Sequence, residues 1–167
     1  MPTEPTRVEG KLTIENARII YRNFKGEERQ FNPAGKRNFC AVIEDEQLAK
    51  DLIEDGWNVK CRAPYEEGDV PMYYLPVEVS YKRRPPRVTL ITNRDGDIRK
   101  TMLDEEAIEM LDYADIINAD LIINPYNWSM RDDSGVKAYL DIAYITIQED
   151  TFASKYEVPE PQLPEDL

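Results

Sequence analysis

Apolar and polar residues alternate with a period of two along most of the chain, which is typical of half-buried β-strands. The apolar phase shifts near Glu15 and Asn16, which indicates a bulge in one long bent strand. Pro76 cannot donate a ladder hydrogen bond, so its strand lies at an edge or is bulged. The pattern predicts strands at 7–21, 37–43, 57–61, 72–81, 87–92, 97–103, 119–126 and 136–147.

Two segments have a helical period instead. Residues 44–56 place Leu48, Leu52 and Ile53 on one face and end at Gly56, a typical C-terminal cap. Residues 103–114 predict a second short helix whose N-terminus is rich in carboxylates, as the helix dipole favours. Polar and glycine-containing stretches predict loops or turns at 22–36, 93–96 and 127–135.

Many short, bent strands with two small helices favour a mainly β fold. A doubly wound parallel sheet would need helices between most strands, and they are missing. The first choice is an antiparallel Greek-key barrel of the oligonucleotide-binding (OB) type, with an open α+β sheet as the alternative. We expect one such domain at 1–156. Residues 157–167, EVPEPQLPEDL, predict a flexible acidic tail.

The amino-acid composition excludes several classes of function. The chain of 167 residues has no histidine, which removes the commonest general base and a common zinc ligand. Cys40 and Cys61 have no ligand spacing and are expected to be reduced core thiols. We expect no metal and no cofactor. No apolar run approaches the ~20 residues of a membrane span, and the N-terminus lacks a signal-peptide core. We therefore expect a soluble cytoplasmic protein.

The formal net charge of −12 hides two positive blocks. Residues 1–43 hold 8 basic and 5 acidic side chains, and residues 71–103 hold 7 and 3. A polyanion responds to the local potential, because charges beyond a Debye length of about 8 Å are largely screened. An acidic protein can therefore still carry a basic binding groove.

Basic and aromatic residues are interleaved within both blocks. Single-stranded nucleic acid is bound by this mixture, since cations neutralise phosphates and aromatic rings stack on bases. Two adjacent prolines in YKRRPPRV (81–88) hold the cations of that loop apart. The candidate contact residues are Arg22, Phe24, Lys25, Arg37, Tyr74, Tyr81, Lys82, Arg83, Arg84, Arg87 and Trp128.

Each candidate also has a structural interpretation. The tyrosines could be β-formers that pack the core, and 82–87 could be a solvated loop beside apolar strands. Phe39, Tyr73 and Tyr144 share the phase of aliphatic neighbours, which favours a core position. Phe24 has no such neighbours, which favours a contact role. Tyr126 and Trp128 are either exposed stacking platforms or seals of a barrel end.

The carboxylates of 104–115 raise the possibility of a two-metal nuclease. Their spacing places Glu105, Glu109 and Asp112 on one helical face opposite Ile108 and Leu111, so a solvated helix face is favoured. The sequence has no phosphate-binding glycine loop, EF-hand or nucleophile elbow. We expect no catalytic residue and no enzyme activity.

Five strings together resemble the single-stranded-DNA-binding proteins of tailed bacteriophages: NARIIYRNFKG (16–26), RNFC (37–40), DGWNVK (55–60), YKRRPP (81–86) and DLIINPYNW (120–128). The resemblance covers residues 8 to about 156. It implies an OB-fold protein that coats single-stranded DNA during phage replication or recombination. Many such proteins have strongly acidic tails ending in Phe, whereas this chain ends in PEDL.

The sequence therefore predicts a non-catalytic protein that binds single-stranded DNA largely without sequence preference. Replication or recombination proteins are candidate partners of the tail. The alternative is an acidic DNA mimic that inhibits a host nucleic-acid enzyme. The formal net charges of residues 104–135 and 136–167, −8 and −5, favour the DNA mimic. The clustered arginines argue against it.

Overall fold

The computed structural model describes residues 9–64, 66–82 and 84–148. Strands dominate this part of the chain, accompanied by one α-helix and one 3-10 helix. The elements are β1 (Leu12–Ile14), β2 (Arg18–Asn23), β3 (Arg37–Ile43), α1 (Glu46–Asp55), β4 (Lys60–Arg62), β5 (Met72–Val79), β6 (Arg87–Arg94), β7 (Asp97–Leu103), the 3-10 helix (Ala107–Asp112), β8 (Ile116–Met130) and β9 (Asp133–Ile147).

The strands form one sheet with the order β1-β8-β9-β5-β3-β2. No hydrogen-bonded ladder joins its two ends, but β1 and β2 are consecutive stretches of one bent segment. The Ala17 amide in that bend donates to the Ala119 carbonyl at 2.7 Å, so the segment passes from one end of the sheet to the other. The predicted mainly β fold with few helices is confirmed. The predicted closure into a barrel is not, because the described strands form one open sheet.

The prediction of an antiparallel barrel is wrong for two strand pairs. β9 runs parallel to β5 at Val77↔Ala138 and parallel to β6 at Val88↔Ala143. Parallel neighbours need a long crossover connection. The chain from β6 to β9 supplies it through β7, the 3-10 helix and β8.

The bend in the first strand has two irregular points. Asn16 has φ 48°, at the predicted position, and its amide donates to Asp120 Oδ1 at 2.9 Å. Tyr21 has φ 51°, and the pairing of β2 with β3 shifts register between Ile20 and Asn23. The second irregularity turns the Tyr21 ring away from the core side of the strand, and its side chain is exposed.

The predicted helix at 44–56 is confirmed with slightly shorter bounds. Asp45 caps its N-terminus by accepting from the Gln47 amide at 3.0 Å and the Leu48 amide at 3.3 Å. Gly56 ends it in the left-handed conformation at φ 101°. The second predicted helix is shorter, and its regular part is a 3-10 helix.

Two hairpins shape the surface. Asp95 and Gly96, at φ 52° and 88°, connect β6 to β7 through the predicted tight turn. The predicted loop at 127–135 is wrong, because β8 continues to Met130 and β9 begins at Asp133. Residues 124–139 therefore form a two-stranded arm with its turn at Arg131 and Asp132.

The core lies between the inward faces of the strands and is closed by apolar residues of both helices. Phe39 is buried as predicted, and Tyr73 is half-buried against the core. Tyr144 is 45% exposed, so its predicted core position is wrong. Its neighbours Ala143 and Ile145 occupy the inward positions of that strand.

Both cysteines are free thiols, as predicted. Cys40 is half-buried on β3, and burial raises its pKa to about 11 although the charge of Lys60 opposes the shift. Cys61 is exposed on the short strand β4, so its predicted core position is wrong.

Candidate nucleic-acid interface

Most of the candidate contact residues in the first basic block, residues 1–43, make contacts within the protein. Arg22 Nη1 donates to the carbonyls of Leu111 and Ala114 at 3.0 and 2.6 Å, which ties β2 to the end of the 3-10 helix. Its guanidinium is half-buried and engaged with the backbone. Lys25 is exposed and remains a candidate phosphate contact.

Phe24 is 1% exposed, so its predicted contact role is wrong. Asp112 accepts from the backbone amides of Phe24 and Lys25 at 2.6 and 3.1 Å. This fixes the chain where it leaves β2, and the Phe24 ring stacks on Phe39 with centroids 5.2 Å apart. Both rings belong to the core.

Arg37 and Tyr81 meet beside the 3-10 helix. The Arg37 guanidinium lies 5.9 Å from the Tyr81 ring centroid and pairs with Glu105 at 3.3 Å. Its side chain is only 14% exposed. Burial raises the pKa of Tyr81, while the charge of Arg37 opposes that shift. The pair is therefore held by the protein, and a phosphate would have to compete with Glu105 for Arg37.

The loop after β5 presents the second basic block to solvent. Lys82, Arg84 and Arg87 are exposed, and no carboxylate within the described ranges lies at ion-pair distance from them. Pro86 is buried and anchors the loop. Arg83 lies outside the described residues, as do the predicted tail and most of the segment that precedes it.

A second set of basic and aromatic residues shares one outward surface of the sheet. Residues with inward side chains, such as Ala41, Leu75 and Ala138, are buried, so their strand neighbours point outward. We call this surface the outer face. Its aromatic members are Tyr21, Tyr74, Tyr126, Trp128 and Tyr139, and its cations are Arg18, Lys60, Arg62 and Lys137.

One aromatic pair lies where β2, β5 and β4 approach each other. The Tyr21 and Tyr74 rings meet edge to face at 5.5 Å, and Arg62 Nη1 donates to the Tyr21 hydroxyl at 3.1 Å. Lys60 lies opposite Tyr74 in the β4–β5 ladder. Two rings and two cations are thus grouped at one end of the outer face.

The other aromatic pair lies on the arm. Tyr126 and Tyr139 meet edge to face at 6.0 Å, and Lys137 Nζ lies 5.1 Å from the Tyr139 ring centroid. Lys137 also pairs with Glu78 at 2.6 Å. Burial is the largest effect on the pKa of Lys137 and lowers it, but the hydrogen bonds and charges of Glu78 and Tyr139 together outweigh burial, so the pKa is raised.

Trp128 lies farther along the same side of the arm and is 36% exposed. It faces Gly135 across the ladder, and a Cβ at Gly135 would come within 2.9–3.0 Å of the indole ring. The glycine therefore lets the indole lie against the partner strand. The structure places Trp128 and Tyr126 on the surface rather than as seals of the barrel.

Of the predicted contact residues, only Tyr74 and Trp128 lie on the outer face. Tyr126 was predicted as either an exposed stacking platform or a seal of a barrel end, and the other six members were missed by the sequence analysis. Period-two alternation could have found Lys137 and Tyr139, because both lie in the strand predicted at 136–147. Tyr21 could not be found this way, because a bulge sets its direction.

The carboxylates in and just before the 3-10 helix make structural contacts. Asp112 holds the amides after β2, Glu105 pairs with Arg37, and Asp104 accepts from the Ala107 amide at 2.8 Å. Among the described residues, no group of three or more His, Cys, Asp or Glu side chains is arranged to hold a metal ion. Within the same residues, no helix is long and apolar enough to cross a bilayer.

A comparison with models of known protein families assigns the chain to a family. A family model described as "Putative phage ssDNA-binding domain" matches residues 2–166. The chain belongs to this phage ssDNA-binding family. The match extends over the sheet, the arm and the segment that follows β9 in the sequence. No curated protein matches the chain.

Solved structures agree with the family at the level of fold. The single-stranded DNA-binding protein from bacteriophage Enc34, in complex with ssDNA, has a TM-score of 0.54 and 13% identity, covering 86% of this chain and 89% of that one. Its C-terminal truncation has a TM-score of 0.50 and 13% identity, covering 86% and 87%. A further structure of that protein has a TM-score of 0.50 and 15% identity, covering 86% and 84%.

Proposed function

We propose that the protein is a non-catalytic, largely sequence-independent single-stranded-DNA-binding protein of phage replication or recombination, acting in the host cytoplasm. One observation carries the proposal: the outer face groups five aromatic rings with four cations on adjacent strands. Rings accept unstacked bases of any identity, and cations neutralise the phosphates between them. Family membership and the DNA complex of the Enc34 protein support the same function.

The proposed DNA path crosses the outer face from the Tyr21 and Tyr74 pair to the Tyr126 and Tyr139 pair. Tyr74 and Glu78 are four residues apart on β5, about 13 Å along a strand, and Glu78 lies beside Tyr139. The two ring pairs would therefore contact different nucleotides. Basic side chains outside this face would add phosphate contacts, namely Lys25, Lys82, Arg83, Arg84 and Arg87.

Salt dependence tests the proposal. Fluorescence anisotropy of a labelled dT oligonucleotide is measured at about 50–500 mM salt, where counterion release makes affinity fall steeply. Binding at low salt and a weaker response to duplex DNA are expected. Absence of binding to any oligonucleotide would contradict the proposal, and copurification with a host nuclease or polymerase would then favour the DNA mimic.

The loop after β5 has a test of its own. Replacing Arg83 and Arg84 by alanine should weaken binding and lower the log–log salt slope by about 1.4, since each phosphate contact contributes about 0.7 for single strands. The matched control replaces Arg131 and Lys50, which lie on the arm turn and on α1, and should leave the slope nearly unchanged. An unaltered slope in the loop variant would make this segment a solvated loop.

A further inference from the structure

The hairpin of β6 and β7 presents a surface that the proposed DNA contacts leave unused. Val88, Leu90 and Leu103 point into the core, so the alternate residues point outward. Lys100 lies opposite Ile91, and Thr89 lies between Met102 and Tyr144. We call this surface the hairpin face and define it by Ile91, Ile98, Lys100, Met102 and Tyr144.

This face is unusually apolar for an exposed surface. Ile98 and Met102 are 60% and 63% exposed on a strand that pairs only with β6 among the described strands. A contiguous exposed apolar patch with a cation marks a protein contact, and methionine and tyrosine are enriched in such contacts. With one aromatic ring, the face suits a protein partner better than it suits a row of stacked bases.

A matching surface lies on the 3-10 helix. Side chains three residues apart overlap in such a helix, so it has three rows. One row, Ile108 and Leu111, is fully buried. The second row holds exposed Glu106, half-buried Glu109 and Asp112, whose carboxylate accepts from the amides after β2. The third row holds Ala107, Met110 and Tyr113, whose ring is 85% exposed. We call Glu106, Glu109, Met110 and Tyr113 of these two rows the helix face.

We infer that the hairpin face of one copy docks on the helix face of the next copy along the same DNA strand. Lys100 would meet the glutamate row, and Met102 with Tyr144 would cover Met110 and Tyr113. The two faces do not cover each other within one copy, because the apolar side chains Ile98, Met102, Tyr144, Met110 and Tyr113 are exposed. The inference rests on the proposed function, because the shared strand brings successive copies to a high effective concentration.

The charges of β7 favour this arrangement over a symmetric one. Antiparallel pairing of two β7 edges about the middle of the strand would place Arg99 and Lys100 of one copy beside those of the other. Like charges directly opposite each other destabilise strand pairing, and edge cations oppose it. Contact between two different faces leaves one of each face free at the ends, so it can be repeated along a linear DNA strand.

A charge exchange tests the contact. Affinity is measured on the shortest dT oligonucleotide that holds one copy and on long poly(dT), and the ratio of the two affinities reports the contact between copies. K100E and E109K should each lower that ratio at least about fivefold, because each places like charges at the contact. The double variant should regain most of the wild-type ratio. K50E makes the same charge change on α1 and should leave the ratio unchanged.

The remaining outcomes separate the two proposals. Wild-type binding to the short oligonucleotide with a ratio near one would overturn the contact alone. Failure of the double variant to regain the ratio would overturn the assigned pair of faces. If K100E weakened short-oligonucleotide binding far more than K50E, the hairpin would be a DNA contact instead. Absence of short-oligonucleotide binding by the wild type would reject the proposed function itself.

Discussion

Single side chains in this protein are assigned to core or surface by the phase of their strand. Phe24 and Tyr144 show this most clearly, because each was predicted on the wrong side. Asp112 fixes the backbone of Phe24 so that its ring turns inward, and Ala143 and Ile145 take the inward positions beside Tyr144. Neither cause can be read from the local sequence. The contact that fixes Phe24 comes from a residue 88 positions away, and the side to which Tyr144 points depends on which residues of its strand face the core.

Replacing Tyr74 by alanine should weaken binding to a short dT oligonucleotide. Loss of one stacked base costs about 1–3 kcal/mol, or roughly 5- to 150-fold in affinity. The measurement is an anisotropy titration at fixed salt, with a circular dichroism melt to check folding. Tyr144→Ala removes the same type of ring from the hairpin face and should leave short-oligonucleotide affinity unchanged. Equal losses in both variants would argue against the outer face as the binding surface.

Replacing Glu105 by glutamine should strengthen DNA binding. The change removes the carboxylate that pairs with Arg37, so a phosphate meets less competition there. A partly exposed pair of this kind is worth about 0.2–1 kcal/mol, which corresponds to a gain of about fivefold at most. Affinity is measured on the short dT oligonucleotide, which holds one copy. In the control, Glu106→Gln removes the same charge from the exposed residue before the 3-10 helix. Equal gains in the two variants would show that only net charge had changed.

At the scale of elements, alternation located most of the strands, while their connections decided the candidate site. The turn predicted at 127–135 is strand, and the arm it forms carries Tyr126, Trp128 and Lys137. The two basic blocks of the sequence likewise divide between structural contacts and surface. Arg22 binds backbone carbonyls, whereas Lys60 and Arg62, from an acidic stretch, lie on the outer face.

The contact between the 3-10 helix and the end of β2 should contribute measurably to stability. Asp112→Ala leaves two backbone amides without their carboxylate, which costs about 1–3 kcal/mol for each group that stays buried and unpaired. Thermal denaturation should show a lower midpoint by several degrees. Asp115→Ala removes the same charge from an exposed position three residues on and should melt like the wild type. An unchanged midpoint in Asp112→Ala would show that water replaces the carboxylate fully.

At the scale of the whole molecule, the segregation of charge along the chain matters more for DNA binding than the net charge does. We expect DNA binding to be sensitive to salt. We expect it to be insensitive to pH near neutrality. The sequence contains no histidine. The Tyr81 and Lys137 pKa values are raised from values that are already alkaline. A raised lysine pKa contributes stability that is complete below the unfolded pKa and is lost only as pH rises through the folded one. The Lys137 contribution is therefore constant throughout the neutral range.

Affinity for a dT oligonucleotide at fixed ionic strength should consequently stay within about twofold between pH 6 and pH 8.5. The outer face is defined by tyrosine, tryptophan, lysine and arginine, and none of these residue types has an ordinary pKa in that interval. Anisotropy titrations at half-unit intervals measure this directly. A parallel salt series at pH 7 should show the steep decrease expected from phosphate neutralisation. A clear midpoint inside the pH interval would require a cysteine or the terminal amine at the interface. Iodoacetamide protection of Cys61 by DNA would identify the cysteine, since the raised pKa of Cys40 keeps that thiol protonated.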